Sequence, residues 1–177
     1  MQRSRGFSLP EGLIALGVLA IIGSVAMPWF SALMQSYRLN AALFQLAGDL
    51  RYAQSLAVSN RSYYRFHWGN DVSQPNSYRI EKSGNGTSWP AASATAGSDP
   101  NVINNWLNVG ASFPGMSLSA IKDANNTTLT GVIFNSQGSS VNAALPGFTS
   151  PVTLSLSATG MPTKTIQVRR TGSVKIQ

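Results

Sequence analysis

Residues 12–34 of this chain form a nearly unbroken apolar run, and from Gly12 to Tyr37 no side chain carries a charge. A helix rising about 1.5 Å per residue over that run spans roughly 34 Å, enough for a ~30 Å hydrocarbon core. The pattern then becomes amphipathic. Leu39, Leu43, Leu46, Leu50, Ala53 and Ala57 recur at alternating spacings of four and three, which is one face of a helix. Arg38, Asn40, Gln45, Asp49, Arg51 and Ser55 fill its other sides. One helix from about Leu9 to Ser59 is predicted, with Asn60 as its C-cap. Its first half suits a membrane and its second half is the spine on which a small domain folds.

After Asn60 the period changes to two. Tyr64, Phe66 and Trp68 alternate with Tyr63, Arg65 and His67, a strand pattern that "SYRIEK" continues after the turn-like "GNDVSQPN". Residues 83–101, rich in Ser, Gly, Ala and Pro, are loop by composition, with Gly84 and Gly86 at its start. Further strands are predicted at 131–136, 151–157, 165–170 and 173–176, the last two joined through Thr171-Gly172 as a hairpin. The sum is an α+β chain: a long N-terminal helix on a small antiparallel β-rich head.

Charge changes the picture at two places. The formal net charge is +7, and Arg3 and Arg5 precede the apolar run. A basic leader predicts the N-terminus on the cytoplasmic side and the head outside the membrane. Beyond Asp123 there is no acid, while Lys164, Arg169, Arg170 and Lys175 remain. Arg169 and Lys175 fall on the polar face of the predicted hairpin with Arg170 at its turn, an arrangement suited to phosphate. A solvated strand face or a contact with another subunit stays open beside that reading. Cysteine is absent, which removes disulfides and thiol chemistry.

The inventory for catalysis is thin. His67 is the single histidine, so no multi-histidine metal site can form. Strand alternation puts it on the same side as Arg65, as a structural histidine facing solvent. The acids after Glu11 are Asp49, Asp71, Glu81, Asp99 and Asp123, scattered singly along the chain. Neither a G-x-S-x-G elbow nor a phosphate-cradling glycine motif is present. No enzyme, metal or cofactor is expected.

Glu11 needs an explanation, because a charge at mid-bilayer depth costs ~2.5–3.5 kcal/mol even on lenient insertion scales. The stretch "RGFSLPEGLIALGVLAIIGSVAMP" resembles the N-terminus of type IV pilins and pseudopilins. That resemblance implies a leader of residues 1–6 removed by a prepilin peptidase between Gly6 and Phe7, with Phe7 then N-methylated. It implies an assembly helix over 7–37 and a head over 38–177. Glu11, in the first turn where the helix dipole favours a carboxylate, would pair with the N-terminal amine of an adjacent subunit or of its own chain. Pro10 is tolerable there because its missing N–H would be unpaired anyway.

"LFQLAGDLRYAQSLAVSNRSYYRFHW", "VIFNSQGSS" and "IQVRRTGSVKI" resemble the GspH/FimT family of minor pseudopilins and minor pilins. Many relatives have a cysteine pair that this chain lacks. The resemblance implies a minor pilin of a type IV pilus, first in the bacterial inner membrane with its head periplasmic, then in a filament with other pilin subunits. Two alternatives share the fold: a minor pseudopilin of type II secretion, and a DNA-binding minor pilin of natural transformation. In the last, Arg169, Arg170 and Lys175 would meet DNA, although that family motif has arginines closely following a glycine and here only Lys175, after Gly172, resembles it.

Overall fold

The computed structural model describes residues 9–72, 74–141 and 149–177. The chain forms two units, one ending at Tyr37 and one from Arg38 to Gln177. A single helix, α1 (Leu9–Ser59), runs from the first into the second. It ends as the pattern requires. Asn60 caps it, and Arg61 takes the left-handed conformation (φ 47°). The Arg61 N–H then reaches the Val58 carbonyl and the Ser62 N–H the Ala57 carbonyl. This paired closure satisfies the orphan carbonyls of the last turn.

Beyond α1 come β1 (Tyr63–Trp68), a 3-10 turn at Gly69–Val72, β2 (Ser77–Ser83), β3 (Leu107–Asn108) and the one-turn helix α2 (Val109–Ser112). They are followed by β4 (Met116–Lys122), β5 (Gly131–Phe134), β6 (Val152–Ala158), β7 (Lys164–Val168) and β8 (Val174–Ile176). Two four-stranded sheets result, ordered β3-β2-β1-β5 and β4-β6-β7-β8, with antiparallel neighbours throughout. The predicted stripe of α1 is buried in full and gains Ala42 and Ala47. It shares one core with Tyr64, Phe66, Ile80, Val132 and Phe134 of the first sheet and Ile121, Leu154, Leu156, Ile166 and Val168 of the second.

β4 and the two-residue β3 are strands that patterning does not predict. The inward residues of β4 are Met116, Leu118 and Ile121, and the pairing with β6 shifts between Leu118 and Ala120. That bulge breaks the two-residue period, so the segment does not alternate on paper. β6 alternates strictly between buried and half-buried positions and is legible at once.

The second correction concerns His67. It lies on the Arg65 side of β1, as alternation requires, but it is buried rather than solvent-facing. The loop between β2 and β3 folds over that face of the sheet, so β2 is covered on both sides. A buried charged cluster holds the loop there. Glu81, fully buried, accepts from Arg79 Nε at 2.5 Å, from Arg65 Nε at 2.8 Å and from His67 Nδ1 at 3.0 Å. An ionised carboxylate only accepts, so Nδ1 carries the imidazole hydrogen toward it. Arg79, itself fully buried, donates onward to the carbonyls of Ala91 and Ala94 at 2.9 Å each, and its guanidinium lies 4.4 Å over the Trp106 ring. Arg65 lies 4.6 Å over Trp89 in the same way.

Burial raises the Glu81 carboxyl, but the His67 hydrogen bond and the Arg65 charge outweigh it and hold it below the ordinary carboxylate range. The linkage follows from that sign. Stability contributed by Glu81 is fully present above its unfolded pKa, near 4.3, and is lost as pH falls through the lowered folded value. Breaking a buried pair by removing one partner typically costs about 3–5 kcal/mol, because the other charge stays buried and uncompensated. Glu81→Gln is therefore expected to destabilise the head by about that amount and to flatten its stability profile below about pH 4. Urea unfolding followed by tryptophan fluorescence across pH 3–7 checks both.

Candidate functional site

The exposed half of α1 and the basic β7–β8 hairpin are the features that the charge and hydropathy pattern single out. Glu11 lies in the first turn of α1, exposed, and is the acidic residue there. Gly6 and Phe7 lie outside the described residues. Along the helix that follows, Leu13, Ile14, Leu16, Leu19, Ile21 and Ile22 are each more than half exposed. Farther on, Trp29 is 72% exposed and Phe30 59%. The helix is long and apolar enough to cross a membrane. Contiguous apolar surface on this scale requires lipid or protein around it. Lipid or the helices of other subunits would suit that surface better than water does.

The second unit ties itself to its own stretch of α1 through polar anchors. The Tyr78 hydroxyl donates to Asp49 Oδ2 at 2.5 Å, and Gln54 Nε2 donates to the Gly138 carbonyl at 2.9 Å. Burial pushes the Asp49 carboxyl up, partly offset by that Tyr78 hydrogen bond. Gly138 and Gly172 both have positive φ, and a Cβ on Gly172 would run into the Gly138 carbonyl and the Gln54 amide. The two turns are thus seated on one another and on the helix, which positions the hairpin that follows β7.

In that hairpin Gln167 faces Lys175 across the strands, while Val168 and Val174 face each other beside the core. Arg169, two residues after Gln167, shares its outward face with Lys175, and both are exposed. Arg170 stands in the Arg169–Gly172 turn, its N–H bonded to Ser150 Oγ at 2.7 Å and its carbonyl to the Ser140 N–H at 2.9 Å. The three cations the charge pattern singles out are therefore gathered on one exposed hairpin. Lys164 is not with them: its Nζ donates to Asn40 Oδ1 at 2.7 Å. Arg51 joins instead, donating from Nη2 to the Val174 carbonyl at 3.3 Å. Nothing in the sequence signals that, because 123 residues separate the two. Among the described residues none of Arg51, Arg169, Arg170 or Lys175 is in an ion pair with an acid. No group of three or more metal-ligating side chains converges among the described residues.

Comparison with known proteins bears on this arrangement. The model of the family described as type II transport protein GspH matches residues 42–172. No curated protein sequence matches the chain. Two crystal structures of the minor pseudopilin EpsH from the type II secretion system of Vibrio cholerae are similar in fold. One has 10% identity, covering 79% of this chain and 96% of that one, with a TM-score of 0.52. The other also has 10% identity, covering 78% and 92%, with a TM-score of 0.53. The type IV minor pilin FimU of Pseudomonas aeruginosa (strain PAO1) has 16% identity over 78% of this chain and 87% of its own, with a TM-score of 0.49.

The hairpin's capacity for DNA can be measured directly. Three cations supply about three phosphate contacts, which gives a salt slope of roughly −2 to −3 in log–log terms. Duplex binding by the full chain in detergent is therefore expected to be feeble near physiological salt. The triple change of Arg169, Arg170 and Lys175 to glutamine should leave thermal unfolding unchanged, since all three side chains are exposed. Strong wild-type binding with that slope, abolished in the triple variant, would instead make this chain a DNA receptor.

Proposed function

This chain belongs to the GspH family of type IV pilin-like minor subunits, and from that premise we propose that it is a minor pilin of a type IV pilus. The observation that carries this reading is α1: a 51-residue helix whose first half is exposed and apolar, with one carboxylate, Glu11, in its first turn. A prepilin peptidase cuts between Gly6 and Phe7 and methylates the new terminus. The helix holds the subunit in the inner membrane, N-terminus cytoplasmic and head periplasmic, until it transfers to a growing filament. In the bilayer the Glu11 carboxylate reaches the headgroup region. Among packed helices it has no water, and the terminal amine of an adjacent subunit is the cation that makes its burial tolerable. The chemistry of the molecule is assembly, as it is for the family's structural subunits.

A second reading has support of its own. The matching family is described by its type II transport member, and the EpsH structures come from a secretion system. The same assembly physics would serve a pseudopilus. The two readings part on the machine that takes up the subunit. Deleting the pilus assembly ATPase should strand the subunit in the membrane if it is a minor pilin, whereas a pseudopilin would need the secretion ATPase instead.

Processing and assembly each make a prediction. Intact-mass analysis of protein from its native membrane should find the chain starting at Phe7 with one added methyl. Losing Arg3 and Arg5 leaves eleven bases against six acids, so the formal charge falls from +7 to +5. Retention of Met1 in cells with an active peptidase would remove the assignment. Glu11→Ala should leave membrane insertion and cleavage intact while incorporation into sheared filaments drops at least severalfold. Normal incorporation would reduce Glu11 to an ordinary helix-end acid.

A further inference from the structure

Beside the charged cluster lies a cleft of about 420 Å³ between the end of β2 and the loop that covers it. It is lined by Lys82, Asn85, Ser88, Trp89, Asp99 and Asn101, among others. Trp89 is half-buried and held in place, because the Arg65 guanidinium stacks 4.6 Å from its ring and is itself fixed by Glu81. Asn85 is committed to the loop: its Oδ1 accepts from the N–H groups of Thr87 and Ser88. The backbone of the cleft floor is closed by the Lys82 N–H bonded to the Asn101 carbonyl at 2.7 Å. Asp99 Oδ1 accepts from the Asn101 N–H at 2.8 Å. That leaves the Lys82 ammonium, the second Asp99 oxygen and the Asn101 carboxamide without a hydrogen-bond partner among the described residues.

We propose that this cleft binds a neutral saccharide, with Trp89 as the stacking platform and Lys82, Asp99 and Asn101 as the groups that read its hydroxyls. Three features select that chemistry. A pyranose ring presents C–H bonds on its faces, and their positive hydrogens suit the negative face of an indole. Hydroxyls both donate and accept, and the free groups here are a pure donor, a pure acceptor and an amide that does both. The cleft is also charge-balanced, one ammonium against one carboxylate, in a chain whose net charge is +7. An anion would find better partners on the basic hairpin and would meet Asp99 here. The size lies in the range of small-molecule sites, ~300–1,000 Å³. A larger cleft, about 650 Å³, has hydroxyls, amides and its own Lys122 and Asp123, but Lys122 is bonded to Asn126, Asp123 to the Asn125 and Thr127 N–H groups, and no aromatic ring lines it. Polarity alone therefore does not single out the Trp89 cleft; the rigid ring does.

The test uses the full chain in a zwitterionic detergent that carries no sugar. Chitotriose, cellotriose and maltotriose are titrated, with inorganic phosphate and a short oligothymidylate as anionic comparators, and saturation-transfer NMR and tryptophan emission are followed. At least one neutral trisaccharide should bind with a dissociation constant of about 1 mM or tighter. Trp89→Ala should weaken it by roughly tenfold or more, and Asn101→Ala and Asp99→Asn by about threefold each. The Asn101 side chain has no hydrogen-bond partner among the described residues, so its variant keeps the test valid if Trp89→Ala perturbs the fold. No binding of any neutral trisaccharide at about 10 mM overturns the proposal. So does saccharide binding that ignores Trp89 and Asn101, and so does tighter, Lys82-dependent binding of phosphate or the oligonucleotide.

Discussion

A fully buried carboxylate organises one whole side of this head. Glu81 meets Arg79, Arg65 and His67, and each of the two arginines carries the constraint outward to a tryptophan. Arg79 also binds the carbonyls of the loop that roofs it, so the Pro90–Ala94 part of a stretch with little apolar content is tied down by one guanidinium, while bonds from Lys82 and Ile80 to Asn101 and Asn104 hold its far end. A cluster of this kind is worth little if replaced as a unit by apolar groups, but removing one member leaves its partner charged and dry. That asymmetry is why the β2–β3 loop, the position of Trp89 and the cleft beside it all depend on Glu81.

The helix solves a different problem, two kinds of surroundings along one element. Its inner face from Leu39 to Ala57 is buried under both sheets, which fixes the head on a rigid spine. Its stretch from Leu9 to Phe30 presents apolar side chains around the circumference. A helix apolar on all sides is at home in lipid or among other helices. Under the proposed function, storage in a membrane and packing in a filament would be two answers to the same exposed surface, and Glu11 the group whose surroundings would differ between them.

Close backbone approach sets the far end of the head. Gly138 and Gly172, each with positive φ, let two turns meet on the Gln54 amide, and the Ser140 N–H bonds the Arg170 carbonyl across them. The β7–β8 hairpin is thereby joined to the turn that follows β5, and the Arg51 guanidinium closes on the Val174 carbonyl. Exposed cations on so fixed a turn form a defined surface, whether it meets another subunit or a phosphate.

Period and composition alone determined the elements whose signal is local. α1 appears over its predicted span because the spacing of Leu and Ala is a property of consecutive residues, and β6 and β7 alternate on paper as they do in space, whereas β1 and β2 are found as strands although the loop buries their outer face. The family match falls on residues 42–172, where segments such as "VIFNSQGSS" and "IQVRRTGSVKI" are legible as short stretches. What depends on distant partners was not legible. β4 is hidden by its bulge, and β3 is two residues long. His67 was expected in solvent because alternation distinguishes the two faces of a strand but cannot say that the later loop between β2 and β3 covers the outer one. The pairing of Glu81 with Arg65 and Arg79, the capture of Lys164 by Asn40 and the arrival of Arg51 at β8 join residues by register and packing. Charges a few or many residues apart look alike in a list; only the closed sheet, by removing water from between them, decides which become partners.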